Sequence, residues 1–236
     1  EDIFHFHFLK KLVSSDKFGT MFECPNLVSF EDNNYIIMSP QNIKEKDGNF
    51  ANVSSCVYFK LKGDFIHEEQ TIEKVKEIDH GLEYYAPTVY DDEKILVNWV
   101  QMWGRRYYLD EIHNDFINTF SLFKKIKEKN GVLSFTPLSL ENYVTEKKIE
   151  KIKLNGESQT YHNCHVHYQV KFEKDEELCL TLEFFDSKRD KVNFVIDCKN
   201  NIYQLDRSNV SIPLNGVEDS YAKDGNRYLK QEIPSN

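Results

Sequence analysis

The chain has 236 residues, a length that suits one large domain or two small ones. Its hydrophobic content of 40% is enough to build a core, and its 17 Phe and 13 Tyr favour strands. The formal net charge of -9 argues against nucleic acid and anionic membranes as partners. No apolar run approaches the length of a membrane span.

Five cysteines are spread through the sequence, and no two of them form a C-x-x-C motif. An odd number at wide spacing does not suit a disulfide framework or a zinc knuckle. We therefore expect reduced thiols in a cytoplasmic protein. The cysteines are Cys24, Cys56, Cys164, Cys179 and Cys198.

The first residues alternate with a period of two, since Phe4, Phe6 and Phe8 flank His5 and His7. This pattern predicts a strand with one aromatic face. The two histidines share the other face, and we expect that face to be solvated rather than to bind a metal.

A series of short segments separated by turn signals follows. Many short strands with almost no helical periodicity indicate a sandwich, a barrel or a propeller. Residues 111–127 mix helical and strand spacing and give no clear prediction. The predicted strands are 21–30, 34–39, 52–60, 72–78, 85–90, 94–101 and 105–110.

Residues 140–154 form a charged connector, which predicts a domain boundary between residues 141 and 142. Beyond it, strands are predicted at 165–172, 178–185, 192–197 and 202–205, and together they suit a β-sandwich. The densest group of metal-capable side chains is also here: His162, Cys164, His165 and His167. On a strand, His165 and His167 would share one face while Cys164 points the other way. Two ligands on one face do not make a metal site, so we expect none here.

The stretch Phe22-Glu23-Cys24-Pro25-Asn26-Leu27 places a carboxylate at a predicted strand edge, where Pro is tolerated and the backbone bends. A carboxyl group held there against a partly apolar wall could donate a proton. Taken alone, Glu23 is more simply interpreted as a surface acid.

Three later stretches change that interpretation, and they are 35–41 (YIIMSPQ), 78–87 (IDHGLEYYAP) and 94–99 (KILVNW). Together with Glu23-Cys24-Pro25 they resemble the β-fructofuranosidase family of glycoside hydrolases, which includes invertases, sucrose-6-phosphate hydrolases and levanases. In that family the pattern reads E-C-P, V-L-x-x-S-P-Q, L-D-x-G-x-D-F-Y-A-P-Q and I-L-x-x-W, in this order. The resemblance covers roughly Gly19 to Trp99.

The resemblance implies an all-β fold, in which a partial five-bladed-type β-propeller is followed by a β-sandwich. The strand count suits about two blades, with four strands to a blade. We expect the propeller portion of a catalytic domain in residues 1–141 and a C-terminal sandwich, incomplete, in residues 142–236. Leu205-Asp206-Arg207-Ser208 resembles the L-D-R-S of the family sandwich, where we expect Asp206 and Arg207 to form a structural ion pair.

The resemblance also implies roles for five residues. Glu23 takes the position of the general acid/base, and Cys24 beside it matches the bacterial form of the motif, as a packing residue at the substrate site rather than a nucleophile. Glu83 stands where the family has an Asp that lines the sugar pocket. Tyr85 stands in the Tyr position, with a core role as an equal alternative. Trp99 matches the Trp that walls the pocket.

Other family motifs do not occur in this sequence. The nucleophile is the Asp of an early W-M-N-D-P-N-G, and a third acid lies in R-D-P. The T-L-P-R motif is replaced by Ser121-Leu122-Phe123-Lys124, without Pro and Arg.

The resemblance therefore implies a portion of a retaining hydrolase of β-fructofuranosides, such as sucrose or sucrose 6-phosphate, with no metal or organic cofactor. We expect the isolated chain to be inactive. The alternatives are a catalytically dead sugar- or fructan-binding protein, and a β-protein that assembles with itself or with a missing N-terminal half.

Overall fold

The computed structural model describes residues 5–12, 18–70, 72, 74–103, 105–106, 119–139, 142, 160, 177–186, 190–211, 215–216 and 226–233. This part of the chain contains fourteen β-strands, arranged in three four-stranded antiparallel sheets and one two-stranded sheet. The prediction of an all-β protein is confirmed. No helix among the described residues is long and apolar enough to cross a membrane.

The first sheet is a meander of β1 (Phe22–Ser29), β2 (Asn34–Pro40), β3 (Val57–Lys60) and β4 (Lys76–Glu77), in that order. β2 is buried from its second residue onward because its four consecutive apolar residues face two separate cores. Tyr35 and Ile37 belong to one apolar cluster, whereas Ile36 and Met38 belong to the other. A continuous apolar run is the expected signature of a strand covered on both faces.

The second sheet has the order β5 (Tyr85–Tyr90), β6 (Ile95–Trp99), β8 (Lys124–Lys129) and β9 (Val132–Pro137). The hairpin between β8 and β9 turns through Asn130 and Gly131, both at positive φ (54° and 76°), as a two-residue β-hairpin loop requires. This sheet packs against the first, since Leu96 and Ile126 share a core cluster with Tyr35 and Ile37.

The third sheet has the order β10 (Cys179–Phe185), β11 (Lys191–Asp197), β12 (Ile202–Asn209) and β14 (Asn226–Lys230). Leu180, Ile196, Cys198 and Ile233 form its apolar cluster. The described residues of this region form a single four-stranded sheet, so the sandwich stays a prediction. β13 (Asn215–Gly216) leaves the region to pair with β7 (Arg105–Arg106).

A buried polar cluster joins the third sheet to the first. Arg227 of β14 is 5% exposed, and its Nε and Nη2 donate hydrogen bonds to Asn52 Oδ1 at 3.4 and 3.3 Å. Glu77 of β4 lies nearby with its side chain 1% exposed, and it accepts a hydrogen bond from the Phe50 amide at 2.5 Å. Burial raises the pKa of Glu77 to about 7, and the charge of Arg227 acts in the opposite direction.

One predicted strand is wrong. Residues 5–12 form no strand, and Phe6 and Phe8 are almost fully exposed. Alternation specifies which side chains share a face, but a strand also needs a hydrogen-bonding partner, and no pairing of this segment occurs among the described residues. The predicted strand 165–172 and the group His162, Cys164, His165 and His167 lie outside the described residues.

Candidate active site

Two matching kinks build the candidate site. The pairing of β1 with β2 shifts register between Glu23 and Asn26, and the pairing of β5 with β6 shifts between Tyr85 and Thr88. Each bulge contains a residue that has a positive φ and is followed by Pro: Cys24 at 50° and Ala86 at 48°. Such backbone costs on the order of 1–3 kcal/mol per residue and persists where the surroundings impose it.

The Asn26 side chain fastens the two bulges together. Its Nδ2 donates to the backbone oxygens of Cys24 (2.8 Å) and Pro87 (2.9 Å), and its Oδ1 accepts from the Val89 amide at 3.0 Å. One amide group therefore satisfies backbone groups that the two bulges remove from the strand ladders.

The Glu23 carboxylate points toward the second bulge, where it meets Tyr85. The Tyr85 hydroxyl donates a short hydrogen bond to Glu23 Oε2, and Gln41 Nε2 donates to the same oxygen at 2.8 Å. Burial first, and then the hydrogen bond with Glu23, raise the pKa of Tyr85, while a hydrogen bond from Trp103 acts in the opposite direction. Tyr85 is therefore neutral near pH 7 and acts as a donor. Because both donors face Oε2, the other carboxylate oxygen is the one suited to exchange a proton with a bound molecule.

Three aromatic rings form a wall beside this carboxylate. The ring centroids of Tyr85 and Trp99 are 6.0 Å apart, those of Trp99 and Trp103 are 5.5 Å apart, and those of Tyr85 and Trp103 are 6.2 Å apart. The interplanar angles of 58–78° give tilted and edge-to-face contacts, which are the favoured arrangements for aromatic pairs.

Beneath the wall, Asn98 is buried and fixes the strand that carries Trp99. Its Nδ2 lies 3.3 Å from both the Tyr85 carbonyl oxygen and Cys56 Sγ. The Tyr85 carbonyl lies within the bulge, so this contact gives a hydrogen-bond partner to an acceptor that would otherwise be buried without one.

Glu83 interacts with the third sheet. Its carboxylate accepts from Arg207 Nη1, which lies 2.9 Å from Oε2 and 3.2 Å from Oε1. The Glu83 side chain is 10% exposed and that of Arg207 is 27% exposed, so the pair is largely removed from water. The expected ion pair of Arg207 with Asp206 is wrong, because neighbouring residues of β12 point to opposite faces. Asp206 instead accepts a hydrogen bond from the Ser208 amide at 2.8 Å.

Cys24 is exposed, so the expectation that it packs is wrong. Partial burial first, and then the charge of Glu23, raise the pKa of the thiol, which disfavours the nucleophilic thiolate.

Lys124 supplies a cation where the T-L-P-R motif has its Arg. Its Nζ lies 3.2 Å from Asp79 Oδ2 and 4.1 Å from the centroid of the Tyr84 ring. Asp79 belongs to the same segment as Glu83, so this ion pair connects the start of β8 with the segment that leads into the site.

The structure thus brings Glu23, Tyr85 and Trp99 into one connected group. Glu83 lies two residues before Tyr85, and its carboxylate forms an ion pair with Arg207 of the third sheet. No group of three or more His, Cys, Asp and Glu residues that could hold a metal occurs in the described part of the chain.

Four residues of this site were not assigned a site role from sequence: Asn26, Gln41, Trp103 and Arg207. Gln41 ends a recognised motif, and Trp103 follows Trp99 by four residues, so both carried a local signal. Nothing in the sequence connects Arg207 with a residue 124 positions earlier.

The sequence matches one protein family over more than half of its length. Residues 1–137 match the Glycosyl hydrolases family 32 N-terminal domain. A sucrose-6-phosphate hydrolase of Bacillus subtilis is 33% identical over 88 residues, which cover 36% of this chain and 18% of that protein. One from Streptococcus mutans is 25% identical over 194 residues, which cover 80% of this chain and 39% of that protein.

Among solved structures, a mutant of a Bombyx mori family 32 β-fructofuranosidase in complex with sucrose superposes with a TM-score of 0.71. That match covers 99% of this chain and 47% of the enzyme at 17% identity, so it speaks to the fold. The chain therefore spans less than half the length of these relatives. Since the family match extends over more than half of the sequence, the chain belongs to glycosyl hydrolase family 32.

Proposed function

We propose that this chain carries the general acid/base portion of a retaining hydrolase of β-fructofuranosides. The observation that carries the proposal is the placement of the Glu23 carboxylate against the Tyr85 hydroxyl, beside the ring of Trp99. A carboxyl group next to an aromatic wall suits a reaction in which a sugar ring is held and its linking oxygen is protonated.

In this mechanism Glu23 first gives its proton to the oxygen that links the fructosyl unit to the leaving group. A second carboxylate attacks the anomeric carbon as that bond breaks, and a covalent fructosyl intermediate forms. Glu23, now ionised, then removes a proton from water, whose oxygen displaces the second carboxylate. Tyr85 and Gln41 hold one oxygen of Glu23 throughout, so the other oxygen stays aimed at the substrate.

The nucleophile is not supplied by a W-M-N-D-P-N-G motif of this sequence, and we propose that it comes from polypeptide outside residues 1–236. Residues 1–141 would then be part of the catalytic domain, and residues 142–236 would be its C-terminal β-sandwich. Sucrose 6-phosphate and sucrose are the proposed substrates, since sucrose-6-phosphate hydrolases are among the relatives and a mutant of a structurally similar enzyme is in complex with sucrose. Cys24, Cys56, Cys179 and Cys198 are free thiols, which favours the cytoplasm.

The test is an assay of glucose release from sucrose by the purified chain, alone and after co-expression with the N-terminal half of a family 32 enzyme. We expect no measurable hydrolysis by the chain alone, because one carboxylate provides only weak general acid catalysis. The reconstituted pair should be active, and Glu23→Gln should abolish that activity while Glu31→Gln, a change at an exposed acid just beyond β1, should not. Sucrose hydrolysis by the chain alone at the rate of an authentic invertase would refute the proposal.

Large exposed apolar side chains favour a second candidate, a protein that assembles with a partner. Phe120, Leu122 and Phe123 are each more than half exposed, next to the first residue of β8. Such a patch marks an interaction surface, for a second copy of the chain or for the polypeptide proposed to carry the nucleophile. Light scattering on the purified chain distinguishes a monomer from a self-paired dimer.

A further inference from the structure

We infer that Trp103 is a substrate-contact residue for the leaving group, that is, for the sugar unit on the far side of the bond that Glu23 protonates. This inference rests on the proposed function and extends it to a residue that determines which leaving groups are accepted. The ligand chemistry is a sugar ring linked through oxygen to a β-fructofuranosyl unit.

The first argument is the order of exposure along the aromatic wall. Tyr85 is buried, Trp99 is partly buried and Trp103 is 55% exposed, although the three rings touch one another. A ligand that entered along this wall would therefore meet Trp103 first and Tyr85 last. Glu23, which contacts Tyr85, marks the inner end.

The second argument is that the backbone holds Trp103 outward. Met102, its neighbour, is 1% exposed and fully buried, and the Val100 amide donates to the Thr119 carbonyl oxygen at 2.9 Å. The segment after β6 is thus anchored on both sides of Gln101. The indole of Trp103 is held beside Tyr85 by a hydrogen bond and remains 55% exposed.

The third argument is the direction of the chemistry. The fructosyl unit has to lie where the nucleophile reaches its anomeric carbon and Glu23 reaches the linking oxygen, and the leaving group then extends from Glu23 toward solvent. Aromatic rings at the outer part of such a site offer an apolar face to a sugar while staying accessible. Trp99 would contact the inner fructosyl unit, and Trp103 would contact the outer sugar.

The experiment uses the fact that the sequence contains two tryptophans, Trp99 and Trp103. Trp103→Phe leaves Trp99 as the single fluorophore, and Trp99→Phe leaves Trp103. Each variant of the full chain is titrated with fructose, which fills only the inner position, and with sucrose, which fills both. We expect the emission of Trp99 to respond to both sugars and that of Trp103 to respond to sucrose alone.

Affinity gives a second measurement. Trp103→Ala should weaken sucrose binding roughly three- to tenfold, the range expected for one aromatic contact, and change fructose binding less than about twofold. Tyr90→Ala is the matched control, because Tyr90 is equally exposed but lies at the other end of β5 from Tyr85. Circular dichroism verifies that each variant is folded.

The outcomes separate this inference from the function on which it rests. If Trp99 responds to sucrose while Trp103 does not, and Trp103→Ala binds sucrose normally, the inference is overturned and the proposed function stands. A response of Trp103 to fructose equal to its response to sucrose also overturns it. If neither tryptophan responds to either sugar, the chain alone holds no sugar at this wall and the inference is overturned, whereas the proposed function is decided by the reconstitution assay.

Discussion

Replacing Arg207 with Met should destabilise the protein much more than removal of a surface charge, because it leaves the Glu83 carboxylate buried without its cation. Breaking a fully buried pair costs about 3–5 kcal/mol, whereas exposed pairs contribute about 0–1 kcal/mol. Glu83 is 10% exposed and Arg207 is 27% exposed, so the pair lies between these limits. We expect a loss of about 2 kcal/mol in the free energy of unfolding.

Urea unfolding followed by circular dichroism measures this loss, and Lys199→Met is the matched control. Lys199 also pairs with a carboxylate, Glu177 at 3.1 Å, but both side chains are more than half exposed. This control should lose less than about 0.5 kcal/mol. Adding Glu83→Gln to Arg207→Met should restore about half of the loss, since no unpaired charge then remains. Equal effects of Arg207→Met and Lys199→Met would refute the reasoning.

Three further predictions concern the site and the junction between the sheets. Burial raises the pKa of Glu77 from 4.5 to about 7, so the folded state holds this proton more tightly than the unfolded state does. The contribution of Glu77 to stability is therefore lost as the pH rises from about 4.5 to about 7. Unfolding of the wild type and of Glu77→Gln at pH 5 and pH 8 should show this fall, about 2–3 kcal/mol, in the wild type only, and parallel profiles would contradict it. Glu23→Gln should move the titration of the Tyr85 hydroxyl to lower pH, because Glu23 raises the pKa of Tyr85. NMR of labelled tyrosine detects this shift, and an unchanged titration would count against the contact. Asn26→Ala should cost about 2 kcal/mol in urea unfolding because it unpairs backbone groups of both bulges, and a loss below about 0.5 kcal/mol would mean that the bulges hold without it.

The sequence predicted local features better than distant ones. The strands with clear apolar patterns, such as β1, β2 and β5, lie close to where the sequence placed them, because burial of a side-chain face is set by neighbouring residues. The predicted strand 52–60 is shorter, since β3 begins only at Val57. The residues before it include Asn52, which binds Arg227 from the third sheet, and such a contact leaves no pattern in the local sequence.

For the site, as for the strands, the sequence predicted local features better than distant contacts. The motifs identified Glu23, Tyr85 and Trp99 as a group, and the structure places the three side by side, while their roles remain proposals. The partner of Glu83 could not be predicted, because alternation along β12 says which face Arg207 is on but not what that face meets. The bulges have a recognisable cause in Cys24-Pro25 and Ala86-Pro87, but Asn26 as the link between them requires the two sheets to be in contact.

The pairing of Arg207 with Glu83 has a consequence for engineering this chain. The charged connector that joins the third sheet to the rest of the sequence suggests that this sheet can be removed on its own. Trimming the polypeptide after residue 141 would nevertheless remove the counter-ion of Glu83 and the guanidinium that binds Asn52. Domain transplants within this family would therefore have to carry both ends of these cross-links together, or redesign the acid and the amide that stay behind.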